Sequence, residues 1–135
     1  MRHDSYASYL GKEYRLAKVE GAFELITNSC TEKDFSQYAK DIYVQIVPIV
    51  DIDHAYHVST FCSYKGHRFA IWQEENDAFI ILTTDRSLLA PLNLEEVERG
   101  VYEARVTPDE LDSIWEEREP VYDLPFLTDP IKIIK

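Results

Sequence analysis

The chain has 135 residues, 45% of them hydrophobic and 13% aromatic, and 25 Asp and Glu against 14 Lys and Arg give a net charge of −11. That apolar content can build a packed core, which excludes a disordered chain, and no apolar run nears the 18 or so residues of a membrane span. An acidic balance this strong repels nucleic acid and anionic lipid and attracts cationic partners. The start, MRHDSYASYL, has no charged-then-apolar leader and reads as a cytoplasmic terminus. Cys30 and Cys62 belong to no CxxC pair and read as buried small hydrophobes in a reducing compartment.

In chain order, YLGKEYRL from Tyr9 alternates apolar and polar residues, the period of a half-buried strand entered through a turn at Gly11. VEGAF turns it into a second strand, making a hairpin. SCTEKDFSQYAKD (29–41) reads as a helix capped by Thr31, with Phe35 and Tyr38 three apart. A strand at 43–48, a single capped turn in VDIDHAY and a strand HVSTFCSY complete this half. The second half runs through YKGHRFAI, the turn EENDAF, and a helical segment TDRSLLAPLNLEEVERG that Pro91 interrupts and Gly100 closes. A strand at 101–106, the turn TPDELDS and SIWEEREPVY, read as strand rather than helix, end it.

The halves repeat each other. Tyr9, Gly11, Tyr14 and Leu16 meet Tyr64, Gly66, Phe69 and Ile71; after one inserted residue, drawn in the turn, Phe23, Leu25 and Thr27 meet Phe79, Ile81 and Thr83. More weakly, Pro48, Ile52, Asp53 and Tyr56 meet Pro108, Leu111, Asp112 and Trp115. The expectation is an α+β fold: two tandem β-β-α-β-β-like repeats, about 9–63 and 64–121, with antiparallel sheets sharing one core in a single domain 1–135, and a tail at 122–135. In this frame His67 and Arg68 stand where Lys12 and Glu13 stand, so YKGHRF reads as scaffold.

Catalytic chemistry finds little purchase. Asp51, Asp53, His54 and His57 are metal-ligand types, with Cys62 nearby, but their spacing is that of no strong site, and the two histidines should point to opposite faces. There is no GxSxG and no phosphate loop, so the expectation is no enzyme, no cofactor and no metal. The acids and the tryptophans are more informative. Residues 95–119 carry ten acids and three bases. Trp72 precedes the acidic turn Glu74, Glu75, Asp77, and Trp115 sits among Asp109, Glu110, Asp112, Glu116 and Glu117; with Glu95, Glu96 and Glu98 these form a candidate binding surface of charge around hot-spot aromatics.

The stretch YKGHRF…LLAPLNLEEVERGVYEARVTPDELDSIWEEREPV resembles immunity proteins of bacterial polymorphic-toxin and contact-dependent growth inhibition systems. The resemblance covers most of residues 9–121. It implies a non-catalytic protein that binds a cognate toxin C-terminal domain, basic and expected to be a nuclease, in a 1:1 heterodimer, without contacting nucleic acid or membrane. The alternative is a small regulatory or structural module, homodimeric through an exposed hairpin edge. A hydrolase or a metal enzyme around Asp51–His57 is a third reading.

Overall fold

The structure, a computed structural model, describes residues 1–135. Its strands are β1 (Asp4–Tyr9), β2 (Lys12–Val19), β3 (Ala22–Thr27), β4 (Ser36–Ala39), β5 (Ile42–Val47), β6 (His54–Tyr64), β7 (His67–Glu75), β8 (Ala78–Thr83), β9 (Glu95–Glu98), β10 (Val101–Val106), β11 (Leu111–Glu119) and β12 (Ile131–Ile133). Three 3-10 turns, Ile49–Asp51, Arg86–Leu88 and Pro108–Glu110, are the only helical pieces. The fold is therefore antiparallel β throughout, not the α+β expected from the sequence.

Both expected helices are strands and loops, for physical reasons. In 29–41 only Phe35 packs inward, while Tyr38 is 76% exposed, so no apolar stripe exists to hold a helix against the sheet. The backbone of Ser36–Ala39 instead pairs with β5 across Lys40-Asp41, and Asp41 takes a positive φ of 59°. In 84–100 the Asp85 carboxylate accepts from the Ser87 amide at 3.0 Å and starts only one 3-10 turn. Pro91 can donate no helical hydrogen bond, Leu88 and Leu94 turn into the core, and Gly100 (φ 80°) closes the β9–β10 hairpin rather than a helix.

The chain divides into two compact units. The first is His3–Val58 with Arg118–Pro130; the second is Met1–Arg2, Ser59–Glu117 and Ile131–Lys135. Within the first, strands pair in the order β6-β1-β2-β3-β5-β4. Within the second the order is β11-β6-β7-β8-β10-β9, with β12 added on β11. Counting strands from each unit's start, the two orders are the same. The cores are also separate clusters, not the one shared core expected. Ala7, Tyr14, Leu16, Phe23, Leu25 and Val47 fill the first, and Cys62, Phe69, Ile71, Phe79, Ile81 and Tyr102 are central to the second. Full burial of the Leu, Ile, Val and Phe side chains among them contributes about 1.5–3 kcal/mol each.

Equivalent registers fix the correspondence. Leu16 faces Leu25 as Ile71 faces Ile81, and Phe23 faces Val47 as Phe79 faces Val106. The register puts Thr107, not Pro108, in the place of Pro48. The Tyr-x-Gly motif is a two-residue hairpin turn with both residues at positive φ: Leu10 and Gly11 at 51° and 79°, Lys65 and Gly66 at 50° and 80°. Such turns match the twist of the flanking strands. A methyl group on Gly11 or Gly66 would meet nothing within 4 Å, so the left-handed backbone alone calls for glycine there.

Candidate functional site

The two tryptophans have different standing in the repeat. Trp115 is half-buried, its ring 6.4 Å from that of Phe61 with planes 30° apart, and its indole N–H donates to Glu117 Oε2 at 2.9 Å. The first unit holds the same pair: Tyr6 and Tyr56 lie 6.3 Å apart, also at 30°. In the second unit the Arg68 guanidinium lies 3.8 Å from the Phe61 ring centre and donates to both Glu117 oxygens at 3.1 Å. At the matching place in the first, Glu13 accepts from the Tyr56 hydroxyl. Trp115 is thus part of a duplicated clasp that ties β6 to the β1–β2 hairpin in the first unit and β11 to the β6–β7 hairpin in the second. Arg68 and Phe61 were missed in the sequence because the charge at Arg68 is inverted in Glu13, although each tethers the equivalent strand of its unit, β11 and β6.

Trp72 has no counterpart. In the first unit Leu16 faces Leu25 and Ala17 faces Glu24 without interruption. In the second Ile71 faces Ile81 and Gln73 faces Ile80, leaving Trp72 as the extra residue of a β-bulge. The inserted residue drawn in the turn is therefore Trp72, in mid-strand, and it is 61% exposed.

The predicted acids separate into engaged and open groups. Glu116 is 6% exposed and takes a bidentate pair from Arg2, both contacts 3.0 Å. Glu117 is held by Arg68 and Trp115. Glu75 pairs with Arg105 at 2.8 Å, and Glu74 with the Met1 amine at 2.8 Å. Glu110 accepts from the Thr107 amide at 2.7 Å, closing a turn. Asp77, Glu95, Glu96, Glu98, Asp109 and Asp112 are exposed, Glu96 touching only the Gly100 amide at 3.4 Å.

Two groupings result. Glu74, Asp77 and Asp109 come together around an open pocket of about 410 Å³, with Ala78, Phe79 and Pro108 as its apolar part. Glu95, Glu96 and Glu98 lie along β9, which pairs only with β10 and so is an edge of its unit, with Glu103 opposite Glu95. Carboxylates beside apolar surface suit a Lys or Arg side chain, whose stem wants the apolar wall and whose head wants the charge. The late concentration of acid in the sequence does not survive as a difference between units. Glu119, Asp123 and Asp129 belong to the first unit, which carries twelve acids against six Lys and Arg, and the second carries thirteen against eight.

The remaining candidates are placed as follows. Asp51 and Asp53 are exposed; His57 Nδ1 meets the Ser5 hydroxyl at 3.0 Å, and His54, three residues earlier on β6, stacks on Tyr56. No group of three or more His, Cys, Asp and Glu side chains is disposed around a metal position. Cys62 is fully buried, and burial pushes its thiol up to about 12. Cys30 is exposed, against the expectation that both cysteines are buried, because it lies in the polar loop that replaces the expected helix. A second pocket of about 430 Å³ in the first unit is lined by Tyr9, Lys12, Tyr14, Glu32 and Phe35. Tyr14 donates to Glu32 at 3.0 Å there, and burial with this bond raises its phenol above the usual range.

No helix is long and apolar enough to cross a membrane. Neither the curated proteins nor the solved structures give a match to the chain. Residues 1–122 match the family model described as "Uncharacterised conserved protein UCP033725", and a match over both β units places the chain as a member of that family.

Proposed function

We propose that the chain is an immunity protein: it binds a cognate bacterial toxin C-terminal domain of basic character in the cytoplasm and neutralises it by occupying its surface, without catalysis. The observation that carries this reading is the pocket walled by Glu74, Asp77 and Asp109 over Ala78, Phe79 and Pro108, on a chain of net charge −11. A cationic side chain gains both apolar contact and charge there. The long-range field of such a chain raises association rates with a basic partner by roughly 10- to 1,000-fold, which suits capture before a toxin acts. The resemblance of most of residues 9–121 to immunity proteins supports the same reading, and a toxin of the nuclease type would present the basic surface required.

The test is co-expression with the C-terminal domain of the protein encoded immediately upstream of this one. The expected result is a 1:1 complex and relief of the growth arrest the domain causes alone. A chain that neither captures nor protects, and instead self-associates, would overturn the proposal in favour of a homodimeric module.

A further inference from the structure

The hairpins of the two units differ by one inserted residue, and the insertion leaves the core untouched. Leu16 and Ile71 keep equivalent partners before it, and Lys18 facing Phe23 matches Glu74 facing Phe79 beyond it. Its effect is to add one side chain to the outer side of β7, where Trp72 and Gln73 stand together opposite Ile80. Packing does not account for a residue that remains 61% exposed. The indole of Trp72 stacks on no other ring or cation of the chain and donates no hydrogen bond within it.

The same side of the sheet already shows what such a ring binds. Arg68 lies on Phe61 while its N–H groups donate to Glu117, a guanidinium held between an aromatic face and a carboxylate. On the side of Trp72 and Gln73, Glu75 accepts from Arg105 at 2.8 Å and from Gln73 at 3.3 Å, whereas Glu74, opposite Phe79, stands on the other face of the strand. An exposed indole and a carboxylate on the same side favour one class of group. A guanidinium satisfies both, because it stacks flat on indole while its fork of donors reaches carboxylate oxygens.

We propose that Trp72 is an anchor for a partner and takes an arginine side chain of a basic polypeptide, its guanidinium on the indole and its N–H groups toward the Glu75 carboxylate. This deepens the partner-binding reading above and names the group recognised. The first unit, which lacks the insertion, offers no equivalent anchor.

The probe is a twelve-residue peptide of alternating Arg and Gly, with Lys-Gly and Ser-Gly peptides as controls, titrated against the full chain carrying Trp115→Phe so that Trp72 is the only tryptophan. The Arg peptide should change Trp72 emission saturably and bind more tightly than the Lys peptide. Trp72→Ala should weaken binding of the labelled Arg peptide about tenfold. Deletion of Trp72, which restores the unbulged hairpin of the first unit, is the second variant and should weaken it equally with an unchanged circular dichroism spectrum. Binding within twofold of wild type in both variants, or an emission that does not respond, would overturn the anchor. If both variants also capture the toxin domain as wild type does, the immunity reading stands without the anchor. If the peptide results hold while no toxin domain is captured, the anchor stands and that reading fails.

Discussion

Phe61 and Trp115 meet in the second unit at the same separation and tilt at which Tyr6 and Tyr56 meet in the first. A contact that a duplicated fold keeps in both copies, with different residues, belongs to the fold. Trp115→Ala should therefore lower unfolding free energy by about 2 kcal/mol, through lost ring contact and a freed Glu117. Trp72→Ala should change it by less than about 0.5 kcal/mol, as expected of an exposed side chain. Urea unfolding of the two variants measures the difference, and equal losses would contradict the assignment.

Glu116 is the acid whose removal should be most damaging. Thr60 donates to the Arg2 carbonyl at 2.9 Å, so Arg2 is held in place on both its backbone and its guanidinium. Breaking a largely buried pair from one side strands the other charge. Glu116→Ala should cost about 3 kcal/mol, whereas Asp112→Ala, an exposed neighbour, should cost almost nothing. Thermal or urea midpoints decide this.

The hairpins were legible in the sequence and the elements between them were not. Period-two alternation and a glycine at a fixed place marked β2, β3, β7 and β8, because these strands bury one face. β4 and β9 are four-residue edge strands with every residue exposed, so they carry no burial pattern at all. Thr31, Phe35 and Tyr38 then imitated a helix start. The acids were legible as a group, but not their partners: Arg2 is 114 positions from Glu116. Trp72 was visible as a residue and invisible as an insertion, since a one-residue gap in an alignment can be drawn anywhere until strand registers fix it.

The two thiols should separate cleanly. Burial pushes Cys62 up to about 12, so at pH 8 it stays protonated and shielded, while Cys30 is exposed. A thiol reagent should label Cys30 promptly in the native chain and Cys62 only after unfolding. Prompt labelling of Cys30→Ser would show that the second core opens readily.

Tyr14 should leave a mark on alkaline stability. Burial, and then its bond to Glu32, raise the phenol above its usual value of about 10. A raised folded value means stability fully present below the unfolded value and lost as pH rises through the folded one. Tyr14→Phe has no such proton to lose, so its stability should fall less between pH 9 and 12 than that of wild type. Parallel curves in urea titrations across that range would refute the linkage.

The open acids should govern how fast a basic partner arrives. Replacing Glu95, Glu96 and Glu98 by Lys changes the net charge of the chain from −11 to −5 and leaves the core untouched. Association with the toxin domain should slow about tenfold at low salt, and the salt dependence of the rate should flatten. An unchanged rate and slope would place the contact elsewhere.

A bulge that absorbs one residue while the registers on both sides hold makes the β7–β8 hairpin a place where length itself can vary. Insertion, exchange or loss of a single residue there rewrites a surface and leaves Phe69, Ile71, Phe79 and Ile81 in their places. Surface identity and foldability are then under separate genetic control. A lineage could change what this face presents, one codon at a time, without passing through an unfolded ancestor.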